Sequence, residues 1–233
     1  MIVRMLFVAA AALIPPLSAP SSAGELTERL KFWDDGPQDA SFVKFRNELK
    51  ETIARKDASK LFAILASDIK IDFGGFGGGP EFHKMWKPYD KDSKVWAALS
   101  LVVEQGGNFD SPARFSAPYV YSAFPSDVDG LDKVVVTKEG AVMRAHPNVQ
   151  GPIIRKLDHD ILTVVGTAQD DVVDGQFPPP QHECSPRMWV IVKDAKGVGG
   201  CVPACDVRSP IDYRAYFEKR KGKWVLVTFI AGD

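Results

Sequence analysis

The sequence predicts an α+β fold, and three observations carry that expectation. Between Asp39 and Gly107, apolar residues recur at helical spacing around a single strand-like run. From near Asp127 onward, the texture changes to short apolar runs separated by turn residues. The last segment alternates from Tyr213 to Phe217, turns at "KRKGK", and returns as an almost wholly apolar strand, Trp224 to Ile230. Helices first and strands later suit an α+β arrangement rather than regular βαβ repeats.

Each element follows from its residues. Asp39 or Ser41 can cap a helix running to about Lys56, with Phe42, Phe45, Leu49 and Ile53 on one face. "ARKDASK" ends it and opens a second helix that buries Leu61, Phe62, Ile64 and Leu65. "DIKIDF" reads as a strand with Ile69, Ile71 and Phe73 on one face and Lys70 and Asp72 on the other. Five glycines then fall within the six positions 74–79. Glu81 to Lys87 is expected to form a short helix. A longer one follows, capped by Asp92 or Ser93, carrying Trp96, Leu99 and Val103, and stopped by Gly106-Gly107. In the second half, "DKVVVTKEGAVMRAHP", Ile153-Ile154, Ile161–Val165 and Trp189–Val192 are strand runs. The polar, proline-rich stretch 166–186 is a long hairpin loop or insertion. The final hairpin's second strand is too apolar to be half-solvated, so both of its faces should be covered.

The first 23 residues read as a secretory signal peptide. Arg4 precedes an uncharged apolar run, Met5–Ile14, and a small-residue segment ends at Ala23. The run is about half the roughly 20 residues a membrane span needs. No cysteine follows it, which argues against a lipid anchor, and no later segment is long and apolar enough to span a bilayer. Cleavage leaves 28 basic and 30 acidic residues, since Arg4 is the only charged residue removed. That balance provides no broad positive field for nucleic acid. A periplasmic or secreted location follows, in which disulfides persist.

Three cysteines remain, an odd number: Cys184, Cys201 and Cys205. If "CVPAC" is extended, its two α-carbons lie about 13 Å apart, too far for a bond. If Asp194–Gly197 forms the hairpin turn, Cys201 lies opposite Val190 and Cys184 opposite Val207. Cys205 then becomes the diagonal neighbour of Cys184. A Cys184–Cys205 disulfide would close a loop of about 20 residues, worth on the order of 3 kcal/mol in the chain-entropy model.

"AVMRAHP" at Ala141–Pro147, the pair Ile153-Ile154, Leu157, "ILTVV", Trp189 opening "WVIVK", and "GVGGCV" at Gly197–Val202 occur in the order and spacing of a bacterial SH3 domain, which this segment resembles. Cys201 replaces the family's usual groove aromatic, and the insertion before Trp189 is long. The resemblance implies a small all-β barrel over 128–208 that binds a peptide, peptidoglycan or an envelope protein. Arg144, His146 and Trp189 would lie near its groove. "FRNELKETIARKDASKLFAILASDIKIDFGG" and "YRAYFEKRKGKWVLVTFIAGD" look like the opening and closing segments of an NTF2-like domain. Together these imply one α+β lobe, 24–127, completed by the hairpin 209–233 and interrupted by the SH3-like module.

The glycine run does not read as a phosphate cradle. Pro80 stands where a Walker loop needs lysine and where a dinucleotide loop needs its last glycine, and the Walker hydroxyl is missing too. His83, His146, His159 and His182 are scattered and match no metal or triad spacing, so neither a cofactor nor a metal is expected. The least ordinary is His83. It follows the glycines near Asp72, Phe76 and Trp86, at what would be the mouth of the cone. That constellation is the alternative site, for a small-ligand carrier or enzyme. The reading with most support is an exported binding protein rather than an enzyme.

Overall fold

A computed structural model describes residues 29–75, 77–169, 172–174 and 187–232. The expected signal peptide, Phe76 and Cys184 lie outside the described residues. The architecture is mixed α+β in two sheets, neither closed into a barrel.

Helix α1 (Ala40–Ala54) starts where the Asp39 carboxylate accepts from the N–H groups of Ser41 (2.7 Å) and Phe42 (3.0 Å), satisfying donors that a helix N-terminus leaves open. Asp57 caps α2 (Ala58–Ile64) in the same way through Lys60 N–H. Strand β1 (Leu65–Lys70) follows without a connecting loop. It begins earlier than the sequence suggests, and Phe73 has left the sheet and is 60 % exposed, while Ile69 and Ile71 are buried.

The glycines then reverse the chain. Gly77 bridges back to Lys70, and Gly78 N–H donates to the Ile69 carbonyl at 2.8 Å. A Cβ on Gly77 would sit 2.3 Å from that carbonyl oxygen, so close backbone approach explains the glycine there. Gly78, at φ +91°, opens α3 (Gly79–Trp86). Helix α4 (Val95–Glu104) buries Trp96, Leu99 and Val103 as their spacing predicts. A short hairpin comes next, β2 (Asn108–Ser111) and β3 (Arg114–Ala117), and then the single turn α5 (Tyr119–Ser122). The sequence reading missed this hairpin, because four-residue strands around "SPA" carry too little periodicity.

The second sheet is built from β4 (Lys133–Val136), β5 (Val142–Arg144), β6 (Ile153–Lys156), β7 (Ile161–Gln169), β8 (Val172–Asp174), β9 (Met188–Lys193), β10 (Gly199–Pro203) and β11 (Val207–Arg208). Its order is β11-β4-β7-β9-β10-β5-β6, with β8 on β7. Part of the stretch read as a loop is therefore strand. The β9–β10 register also differs from expectation by one residue: Cys201 lies opposite Ile191, not Val190. The turn holds one residue more than the expected register allows. Asp194 N–H donates to the Val198 carbonyl, and Gly197 takes φ +80°, so three residues close the hairpin, with a glycine in the left-handed region.

The chain ends in β12 (Arg214–Arg220) and β13 (Lys223–Ile230), which join the first sheet in the order β1-β13-β12-β3-β2. β13 pairs parallel to β1 and antiparallel to β12. One face of this sheet packs on the helices through a core rich in aromatic rings. Phe42, 1 % exposed, lies 4.2 Å from Phe115 and 5.0 Å from Trp224, centroid to centroid. Lys219 and Trp224 both donate to Ser41 Oγ, tying the hairpin to the start of α1. Leu30, Tyr119, Val120, Val135 and Ile161 form a separate apolar seam joining α5 to the second sheet. Among the described residues no helix is long and apolar enough to cross a membrane.

Candidate functional site

Side chains alternate across a strand. On β12, Ala215 and Phe217 enter the helical core, so Arg214, Tyr216 and Glu218 project from the opposite face. On β3, Arg114 and Ser116 share that face, because they pair with Glu218 and Tyr216. There the sheet, α5 and the glycine turn enclose a cleft of about 540 Å³. Its walls include Arg114, Tyr121, Arg214 and Tyr216, with Asp72 and Phe73 on the side of the glycine turn.

Aromatic rings hold the cationic groups. The Arg214 guanidinium lies 4.7 Å from the Tyr121 ring centroid and 5.5 Å from that of Phe73; Arg114 lies 4.4 Å from Tyr216. The hydroxyls of Tyr121 and Tyr216 hydrogen-bond each other. Burial, and then that hydrogen bond, push the Tyr216 phenol up to about 12, so it is a neutral donor at ordinary pH. Arg114 has carboxylates nearby, Asp110 at 3.3 Å and Glu218 at 3.6 Å. Arg214 is 7 % exposed, donates from Nη1 to the Gly232 carbonyl at 2.7 Å, and forms no ion pair with a described carboxylate. A guanidinium cannot shed its charge, and a buried one is stabilised by an anion.

The residues singled out from the sequence do not form one site. Asp72 lines the cleft. His83 instead lies on the exposed side of α3, 5.9 Å from Phe62 and 5.8 Å from Tyr89 between ring centroids. Trp86 is buried against Tyr213 and Phe229. The space between helices and sheet, where the cone mouth was expected, is filled by the aromatic core. In the second sheet, Arg144 lies opposite Cys201 and donates to the Gly151 carbonyl, and His146 is exposed. Trp189 is only 1 % exposed, packed with Ala168 and Cys201. It fills the structure instead of presenting a ring. Cys205 is disulfide-bonded, and Cys201 is a buried free thiol whose pKa burial raises. Among the described residues no group of three or more His, Cys, Asp or Glu side chains is placed to hold a metal ion.

No protein-family model, no curated protein and no solved structure matches this chain. Arg114, Tyr121, Arg214 and Tyr216 were not singled out from the sequence. Half of the signal was present: the alternation that sends Ala215 and Phe217 inward necessarily sets Arg214 and Tyr216 on the other face.

Proposed function

We propose that this protein binds a small anionic molecule in the cleft on the open face of its first sheet. One observation carries the reading: Arg214 is buried, stacked on Tyr121 and without an ion pair to any described carboxylate, yet lines a cleft large enough for a ligand. A fixed cation among aromatic walls is a site prepared for negative charge. The location proposed is the cell envelope or the exterior. The apolar, uncharged run at Met5–Ile14 and the disulfide at Cys205 support export. An NTF2-like first lobe carrying an inserted SH3-like module remains the architecture we favour. Support comes from the sequence patterns and from the terminal hairpin sharing a sheet with β1.

The test is a thermal-melting series on the purified full chain with acetate, benzoate, succinate and inorganic phosphate. Saturable stabilisation by at least one anion, lost in Arg214→Gln, is expected. A chain whose melting no anion shifts would contradict the reading.

A second reading has its own observation. Strand β6 stands at the end of the second sheet and exposes Ile153 (57 %) and Ile154 (39 %). An apolar edge can accept an added strand from a peptide or envelope partner. Co-sedimentation with purified cell-wall sacculi, reduced by Ile153→Asp, is the expected outcome; no co-sedimentation would count against it.

A further inference from the structure

We infer that the cleft selects a monocarboxylate with an apolar body over phosphate and over neutral molecules. This rests on the reading of the cleft as an anion site and narrows it by chemistry.

The charges of the lining point to a single negative charge. Lys70, Arg114 and Arg214 face Asp68 and Asp72, three cations against two carboxylates, leaving one net positive charge. Arg114 already lies beside Asp110 and Glu218. Asp68 is bound by Arg220, and that hydrogen bond holds its carboxyl below the usual range. Lys70 is exposed to solvent, so Arg214 is the buried cation of the lining, and it forms no ion pair with a described carboxylate. A phosphate dianion would bring a second charge into a lining that already holds Asp68 and Asp72, and the further cation there, Lys70, is exposed and screened by solvent.

Hydrogen bonding agrees. Of the five guanidinium N–H donors of an arginine, Arg214 gives one to Gly232, and its others meet no described acceptor. A carboxylate accepts two parallel N–H bonds from such a fork. The tyrosine pair adds one more donor. Each hydroxyl has one proton and their mutual bond uses only one, so the other is available to a carboxylate oxygen. Apolar surface is offered chiefly by Phe73, which is 60 % exposed at the side of the cleft, while Ile69 and Ile230 of the lining are already buried. Burying such surface favours a ligand whose remainder is hydrocarbon or aromatic.

The test is calorimetric titration of the full chain with benzoate, inorganic phosphate and benzyl alcohol, the last matching the ring without the charge. Benzoate is expected to bind saturably, with phosphate and benzyl alcohol weaker by about tenfold or more, a difference within the range of a charge-assisted pair. Arg214→Gln, checked for folding by circular dichroism, should weaken benzoate by a similar factor. The benzoate to benzyl alcohol comparison needs no variant and stands even if that substitution unfolds the chain. Phosphate binding as tightly as benzoate would overturn the monocarboxylate assignment and leave the anion site intact. Benzyl alcohol binding as tightly as benzoate would overturn it too, since charge would then carry no selectivity. If neither benzoate nor phosphate binds the wild-type chain, the inference falls together with the anion site itself.

Discussion

Tyr121 and Tyr216 join their hydroxyls across the open face of the first sheet, one from the turn after β3 and the other from β12. Each ring also carries an arginine, Arg214 on Tyr121 and Arg114 on Tyr216. The pair thus holds both arginines of the cleft.

The Tyr216 phenol is raised to about 12, chiefly by burial, and Tyr119 in the seam between sheets is raised to about 12 by burial alone. Both groups are neutral when protonated, and their folded values lie above the ordinary value of 10. Their contribution to stability is complete below pH 10 and is lost as pH rises toward 12. Phenolate absorbance should show Tyr119 and Tyr216 ionising late in the folded chain. Tyr119→Phe and Tyr216→Phe should each remove one late step. All five tyrosines titrating together near 10 in a chain that circular dichroism reports as folded would contradict the burial of both.

Phe42 stands at the centre of the first core, in contact with Phe115, Phe217 and Trp224. Phe42→Ala should cost about 3–5 kcal/mol, because rings on three sides cannot all collapse into the space. Denaturant unfolding followed by circular dichroism measures it. A loss under 1 kcal/mol would mean the core is not packed as described.

Asp39→Ala should cost about 0.5–2 kcal/mol by removing the N-cap of α1. The hydrogen bonds from Ser41 and Phe42 hold the Asp39 carboxyl below its ordinary value of 3.8. Its contribution is therefore present above that value and lost as pH falls below it. Stability of the wild type and of Asp39→Ala should converge in acid, and a gap that persists at low pH would sink the capping account.

Cys201, 7 % exposed, should resist alkylation in the folded chain and react once the chain is unfolded without reductant. A non-reducing peptide map should join the Cys205 peptide to the Cys184 peptide. Recovery of a linked Cys201 peptide would contradict both assignments.

Local rules served best where elements are long or capped. The spacing of Phe42, Phe45, Leu49 and Ile53 and the carboxylate of Asp39 place α1 within two residues at each end. The alternation about "KRKGK" likewise defines β12 and β13. The glycines were legible as a turn, since the sequence lacks the lysine and hydroxyl a phosphate loop uses. What stayed hidden depends on contacts distant in sequence. Nothing near Leu65 states that β1 will run parallel to β13, or that it begins the moment α2 ends. The cleft was half legible: β12 alternation orients Arg214 and Tyr216. Arg114 and Tyr121 join them only because β3 pairs with β12, and β3 is too short to announce itself. One residue of register between β9 and β10 turned on the conformation of Gly197, which a pattern of apolar residues does not encode.

The most direct measurement is a crystal of the full chain soaked in para-bromobenzoate, with the bromine located by its anomalous signal. The account predicts a bromine peak inside the cleft, toward Phe73 and Ile230, with the carboxylate on Arg214 and within reach of the tyrosine hydroxyls. A fully soaked crystal with an empty cleft, or with bromine only elsewhere, would contradict it.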